Sequence, residues 1–265
     1  MNIVVCVKYV LDPEMPVEKF QVKNNQVIAP EGVDMVLNPP DAQAVEAALR
    51  VKEKYGANII AITVGSGDSI KAVMRAVAMG ADEGITLNDE AFEGSDSLAI
   101  AYILAQAIQK LEKTDLVICG REAADWSMGI VGSILAEKLN MPLITWVKEI
   151  EVLENNKIKV ERTIPDGKQG FEVTLPAVLT VSHDIGLPRL PTGMGIIQAT
   201  RKQIPVWTNQ DINADPALIG VDSAGSKLDS LYIPDRERKC EFVNGETAEE
   251  IADNLVAKLK AAGVI

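Results

Sequence analysis

The strongest signal along the chain is a set of short, nearly continuous apolar runs, separated by stretches in which apolar positions recur every three or four residues. Residues 2–8, 58–64, 115–119 and, more weakly, 84–87 form the runs; they are largely β-branched, as strands buried on both faces of a parallel sheet are. Between them, residues 41–55 place Ala44, Ala47, Ala48 and Val51 on one face, follow a proline pair and stop at Gly56, as a capped helix should. Residues 69–79 and 95–112 behave similarly. Strand, helix and strand in this order predict right-handed crossovers and an α/β layered sandwich with a mostly parallel sheet.

Two segments depart from this pattern. Residues 10–37 hold two Pro-rich turns and a stretch, 20–28, that reads as a hairpin around Asn24-Asn25. After Pro142, alternating strands are expected at 144–152, 157–163 and 171–181, with turns at Asn155-Asn156 and Pro165-Asp166-Gly167. This is an antiparallel addition. Residues 186–230 carry five glycines and four prolines with little periodicity, the character of an extended docking arm rather than a core element. A last helix is expected over 247–261, opened by a Thr247-Ala248-Glu249-Glu250 capping sequence. The expected division is therefore 1–185 and 186–265.

Charge narrows the class of partner. With 26 Lys plus Arg against 38 Asp plus Glu in 265 residues, the chain carries −12 and would repel a nucleic acid. At 4% aromatic it also lacks a base-stacking surface. Three cysteines, Cys6, Cys119 and Cys240, lie too far apart for a CxxC site and are odd in number, which fits a reducing cytoplasm. The amino terminus lacks the features of a signal peptide, and the longest charge-free apolar stretch, 98–108, is about half a bilayer span. A cytoplasmic protein without a membrane partner is expected.

No GxxxxGK[ST], HExxH or GxSxG motif occurs, and Gly65-Ser66-Gly67-Asp68-Ser69 is only a partial match to a dinucleotide fingerprint or to the SGGxDS loop of ATP pyrophosphatases. His183 is the sole histidine, so a histidine metal cluster is excluded, and a structural hydrogen bond is its expected role. In a parallel α/β sheet ligands bind beyond the carboxyl ends of the strands. Four loops qualify: 9–12 with 38–41, then 65–69, 88–97 and 120–132. The last, GREAADWSMGIVG, sets Gly120 and Gly129 around Asp125 directly ahead of a helix. Those glycines serve either close approach to a ligand or merely tight turns.

Several segments together resemble the β subunit of electron-transfer flavoproteins. They are Asn2 through Lys8, Leu37-Asn38-Pro39, Ala44 through Leu49, Ala78 through Asp82, the loop from Cys119 to Gly132, Val160-Glu161-Arg162, Leu175 through Thr180, and Pro188-Arg189. The likeness runs from the first residue to about Lys202. It implies an adenine-nucleotide-binding, Rossmann-like domain that pairs with an α subunit carrying the electron-transferring FAD, and whose carboxyl-terminal arm wraps that partner. The β nucleotide it implies is structural AMP in the common branch. In the electron-bifurcating branch it is a second FAD, with NADH as hydride donor and ferredoxin as one acceptor. By motif match the cofactor contacts fall on Cys6, Asn38, Asp41, Val64, Gly65, Gly120, Arg121, Asp125, Trp126, Ser127, Gly129, Ile130, Val131 and Gly132, many through the backbone.

The chain also departs from the family pattern. Val10-Leu11-Asp12-Pro13 replaces the bifurcating branch's Pro-Asp-Thr, Ile130 replaces a usual Gln, and Trp126-Ser127-Met128 stands where Gly-Asp-Thr is common. Ser127 and the amides of residues 129–132 are then the expected phosphate donors. Ala91-Phe92-Glu93-Gly94-Ser95-Asp96 resembles the bifurcating members and tilts the expectation toward FAD. Members serving acyl-CoA dehydrogenases carry a leucine anchor four residues past the Pro-Arg arginine, here Arg189; the position is Gly193. Leu190 or Met194 would substitute, or the client is another flavin-dependent type such as a 2-hydroxy-acid dehydrogenase. A non-redox adenine-nucleotide module is the competing class, but it should lack the hairpin addition and arm.

Overall fold

The computed structural model describes residues 1–16, 19–23, 25–28, 30, 32–233 and 240–265. It divides into two compact units, Met1–Ser230 and Leu231–Ile265. The first begins with β1 (Asn2–Cys6), β2 (Tyr9–Leu11), β3 (Gln21–Lys23), β4 (Gln26–Ile28) and β5 (Met35–Leu37). Then α1 (Pro39–Tyr55), β6 (Asn58–Val64), α2 (Ile70–Met79), β7 (Glu83–Leu87), α3 (Ser97–Lys110), β8 (Leu116–Gly120) and α4 (Val131–Leu139) alternate as expected. The antiparallel addition comprises β9 (Leu143–Leu153), β10 (Lys157–Ile164) and β11 (Gly167–Thr174). It is followed by β12 (Ala177–Val181), α5 (Gly193–Arg201), β13 (Val206–Trp207), α6 (Asn209–Ile212) and α7 (Gly220–Ser223).

Among the described residues nine strands form the main sheet, in the order β11-β10-β9-β12-β8-β1-β6-β7-β13. Neighbours are parallel from β9 to β13 and antiparallel from β9 to β11. The pleat sorts β1 between two cores. Ile3 and Val5 enter one with α1 and α2, while Val4 and Cys6 enter the other with α3 and α4. Because both faces are covered, Ile3, Val4 and Val5 are all fully buried, and the strand reads as an unbroken apolar run.

The run expected as one strand over 171–181 is two. Pro176 has no N–H for a ladder, and there the chain leaves the hairpin; β12 inserts as a parallel strand between β8 and β9. The turns lie where expected: Asn155 and Asn156 take left-handed angles, φ 57° and 59°, and Pro165 and Asp166 join β10 to β11. The hairpin at 20–28 is β3 paired with β4, and Asn24 at its tip lies outside the described residues. A second short pair, β2 with β5, has no counterpart in the periodicity.

Residues 186–230 differ from the expected extended arm. They pack into the first unit, and α5 approaches α2 so closely that a Cβ on Gly195 would lie 2.3 Å from the Ala78 carbonyl oxygen. β13 adds a strand beside β7, and Ile212, Ala214 and Ile219 are buried. These elements are two to nine residues long, too short to establish a period. The second unit carries α8 (Ala248–Ala261), whose cap Thr247 accepts from the Glu250 amide at 3.2 Å. No helix among the described residues is long and apolar enough to cross a membrane.

Candidate functional site

Strand order locates the crevice. β1 lies between β6 and β8; the chain leaves it toward β6 through α1 on one face, and returns to β8 after α3 on the other. This reversal leaves a gap at the carboxyl ends of β1 and β8, where doubly wound sheets bind ligands. Cys6, Asn38, Asp41 and the loop 120–132, scattered in the sequence, border it.

Asn38 is the pin of the loop. Completely buried just before α1, it donates through its side-chain amide to the Glu122 carbonyl at 2.9 Å and accepts from the Ala124 amide at 2.9 Å. Residues 121–124 are thus tied to the start of α1, whereas 125–130 stand exposed. Asp125 is held by an ion pair with Lys8, Nζ to Oδ2 2.6 Å. Ser127 and Gly129 take positive φ, 49° and 64°, which turns the chain into α4. The residue before α4 is Ile130, which offers no side-chain cap. Among the described residues no side chain caps the first N–H groups of α4, which present the positive end of the helix to the crevice.

Two glycines are fixed by packing. A Cβ on Gly120 would lie 2.4 Å from Asp41 Oδ1 and 2.7 Å from the Pro40 carbonyl carbon; one on Gly132 would lie 2.7 Å from Thr180 Cγ2. Their bareness lets α1 and α4 close on the strand ends. Gly129 is different, its nearest neighbour being the Arg121 carbonyl oxygen at 3.4 Å; its glycine serves the left-handed turn.

Asp41 accepts from the Lys8 amide at 2.8 Å. Burial pushes its carboxyl up to about 7, against hydrogen bonds from Asn38 and from the Lys8 and Gly120 amides, and against the Lys8 charge. Cys6 and Cys119 are register partners and both buried. Their mutual hydrogen bond and burial raise the Cys6 thiol well above its ordinary value, which makes it packing rather than a nucleophile.

At the neighbouring strand ends a cleft of ≈ 140 Å³ is lined by Val64, Gly65, Ser66, Leu87, Asp89, Phe92, Glu93 and Ile100. Gly65 has φ 150°, and a Cβ there would lie 2.3 Å from Ser69 Oγ. Asp68 in this loop is spent on Lys71 at 2.8 Å. The cleft borders β6 beside the main crevice. The donor set of the crevice as a whole fits an adenine nucleotide: an uncapped helix start and a buried carboxyl, drawn together by the close packing at Gly120 and Gly132.

Among the docking candidates, Arg189 is engaged within the chain. Its Nε lies 2.7 Å from Glu46 Oε2, and it also pairs with Glu53. Burial pushes Glu46 up, yet Arg189 and Arg50 hold its carboxyl below the usual range. Leu190 and Met194 are 81% and 64% exposed, as is Leu187 at 87%, and Gly193 faces open space. His183 sits in an exposed turn with Nε2 3.2 Å from Asp184 Oδ1. The sequence reading missed Lys8, Glu122 and Trp146. Lys8 could have been noticed as the cation ending the first strand; nothing in the sequence marks Trp146, whose place depends on a backbone irregularity.

Residues 26–212 match the family model described as the electron transfer flavoprotein domain. The chain is 37% identical to the caffeyl-CoA reductase-Etf complex subunit CarD of Acetobacterium woodii, covering 100% of both chains. It is 36% identical to electron transfer flavoprotein subunit beta of Thermoanaerobacterium thermosaccharolyticum, again over 100% of each, and 36% identical to that of Clostridium acetobutylicum, over 98% of each. A match over more than half the chain, with full-length relatives above 30% identity, places it: the chain belongs to the electron transfer flavoprotein family, as a beta-subunit relative.

Proposed function

We propose that this chain pairs with an alpha subunit and holds, in the crevice between β1 and β8, the adenylate part of a second FAD, as part of an electron-bifurcating complex supplied by NADH. The observation that carries the reading is the uncapped start of α4 between Gly120 and Gly132. Open amides there favour a phosphate, and Gly120 and Gly132 let α1 and α4 close tightly on the strand ends around it. Ser127 and the amides of 129–132 would take the phosphates, and Asn38 would keep the loop in place. Asp41 would face a ribose hydroxyl. Bound FAD would supply the exchange between two-electron and one-electron transfer; the protein's own groups bind and orient.

The likeness of residues 91–96 to bifurcating members supports FAD over AMP. Similarity to a subunit of a caffeyl-CoA reductase-Etf complex favours a client dehydrogenase acting on a CoA thioester, with Leu187, Leu190 and Met194 as the exposed anchor set and ferredoxin as the other acceptor. Purification of the heterodimer followed by extraction of its nucleotides tests the reading. Two FAD per heterodimer is the expected result. One FAD with one AMP keeps the crevice and overturns bifurcation, and no adenine nucleotide beyond the alpha-subunit FAD overturns the crevice itself.

A further inference from the structure

Trp146 takes φ +60°, a left-handed angle at a bulky aromatic residue inside a strand. Such outliers persist only where the surroundings impose them, and they gather at functional sites. The cause is a register shift: Leu179 pairs with Ile144 and Val181 with Val147, so Thr145 and Trp146 together oppose Thr180. A bulge of this kind re-aims a side chain. Val147 keeps its place in the core, and Trp146 is turned to half exposure, its amide donating to Thr180 Oγ1 at 3.4 Å. Thr180 is also the residue whose methyl occupies the space beside Gly132. Bulge and helix start are thus packed against one another.

The re-aimed indole meets Arg121, whose guanidinium carbon lies 5.0 Å from the ring centroid, within cation–π range. Arg121 directly follows Gly120 and is partly exposed. Its Nε and Nη2 both go to Glu122 Oε1; among the described residues no hydrogen bond uses Nη1. A guanidinium is a planar fork with five donors, and its unused edge suits a phosphate. The other cation of the loop, Lys8, is already paired with Asp125.

We infer that Trp146 is a positioning residue: its indole holds the Arg121 guanidinium flat at the mouth of the crevice, so that the free edge meets an anionic phosphate group of the nucleotide. This rests on the nucleotide reading above and adds the side chain that orients its charge. The test uses the full-length chain co-purified with its alpha subunit, stripped of nucleotide, with AMP and FAD as probes at low and high salt. Trp146→Leu and Arg121→Met should each weaken binding about tenfold and flatten its salt dependence. The double variant should be no weaker than either single one, since the two side chains act as a unit. Trp146→Phe, which keeps a ring face, should restore most of the affinity. If Arg121→Met binds as wild type does, if the losses add, or if Phe rescues nothing, the inference falls while the nucleotide reading stands. Arg121→Met keeps the test sharp should Trp146→Leu fold poorly. A wild-type complex that binds neither probe overturns both.

Discussion

Helices α3 and α4 start at the same edge of the sheet, cover the same core, and treat their first amides in opposite ways. At α3, Asp96 Oδ1 accepts from the Leu98 and Ala99 amides at 3.0 Å each, while Oδ2 takes Gly225 and Ser226 at 2.9 and 3.1 Å. The end is closed. At α4 the corresponding residue is Ile130, without a side-chain cap. An apolar residue at a position that favours Ser, Thr, Asp or Asn gives up about 1 kcal/mol of helix stability. The start of α4 is thus left open beside the crevice, as the starts of α1 and α2 are also left without a side-chain cap, and between α3 and α4 the difference comes down to one side chain.

The largest expected effect contrasts two aspartates at helix starts. Burial pushes Asp96 up, but the amides of Ala99, Ser226 and Gly225 hold its carboxyl below the usual range; Asp41, buried by the crevice, is pushed up to about 7. A raised folded-state value means that the folded protein binds a proton the unfolded chain has released, so the Asp41 contribution falls as pH rises. It is intact below about pH 4, declines between about 4 and 7, and is lower by about 4 kcal/mol above that window. The groups facing Asp41 are the Lys8 ammonium and the Cys6 thiol. Urea unfolding of wild type and Asp41→Asn across this range should give a difference that shrinks or reverses with rising pH in favour of Asn; a pH-independent difference would contradict the assignment.

Gly120→Ala comes next. Its methyl would meet main-chain atoms, Pro40 C at 2.7 Å and Asp41 N at 2.8 Å, besides the carboxylate, and backbone cannot rotate away as a side chain can. A loss of about 3 kcal/mol, with α1 shifted from the strand end and nucleotide binding lost, is expected from thermal melts and titration with FAD. Alanine at Gly167, where nothing lies within 4 Å but φ is 140°, separates crowding from turn strain.

The order of strands and helices was legible because buried parallel strands and their helices each impose a period. Residues 2–8 and 41–55 show both signals in full. The same physics hid residues 186–230, whose elements contribute single buried side chains such as Ala199 and Ile212, and hid β12, since an apolar run does not show which neighbour it pairs with. At the site, the glycines and Asn38 could be picked out from motif likeness. The reason for Gly120 could not, because Asp41 is 79 residues away in sequence. Trp146 was invisible for the same kind of reason: its position follows from a bulge set by Thr180 in another strand.

Removing the cap on the closed helix should cost stability and nothing else. Asp96→Ala leaves the amides of α3 and those of Gly225 and Ser226 without their acceptor, a loss of about 2 kcal/mol. Nucleotide content should stay at the wild-type level, because these amides face protein groups. A fall in bound nucleotide would show that the two helix starts are not independent and would dissolve the contrast.

The smallest effect has the opposite sign and is the most discriminating. Ile130 holds helical angles, φ −109° and ψ −19°, unlike the extended Asp96, so Ile130→Asp would act on α4 through its charge at the helix's positive end, stabilising the protein by about 0.5 kcal/mol. It would also place a carboxylate on the amides intended for the phosphate. Ile130 is 38% exposed, so little core packing is lost with it. The variant should melt higher and bind FAD or AMP more weakly, the two changes arising from the same charge at the helix start. Ile130→Asn, which lacks the charge, should gain little stability and lose less affinity. If both variants bind as tightly as wild type, the amides of α4 are not where the anion sits, and an uncapped helix beside bare glycines would be an accident of packing.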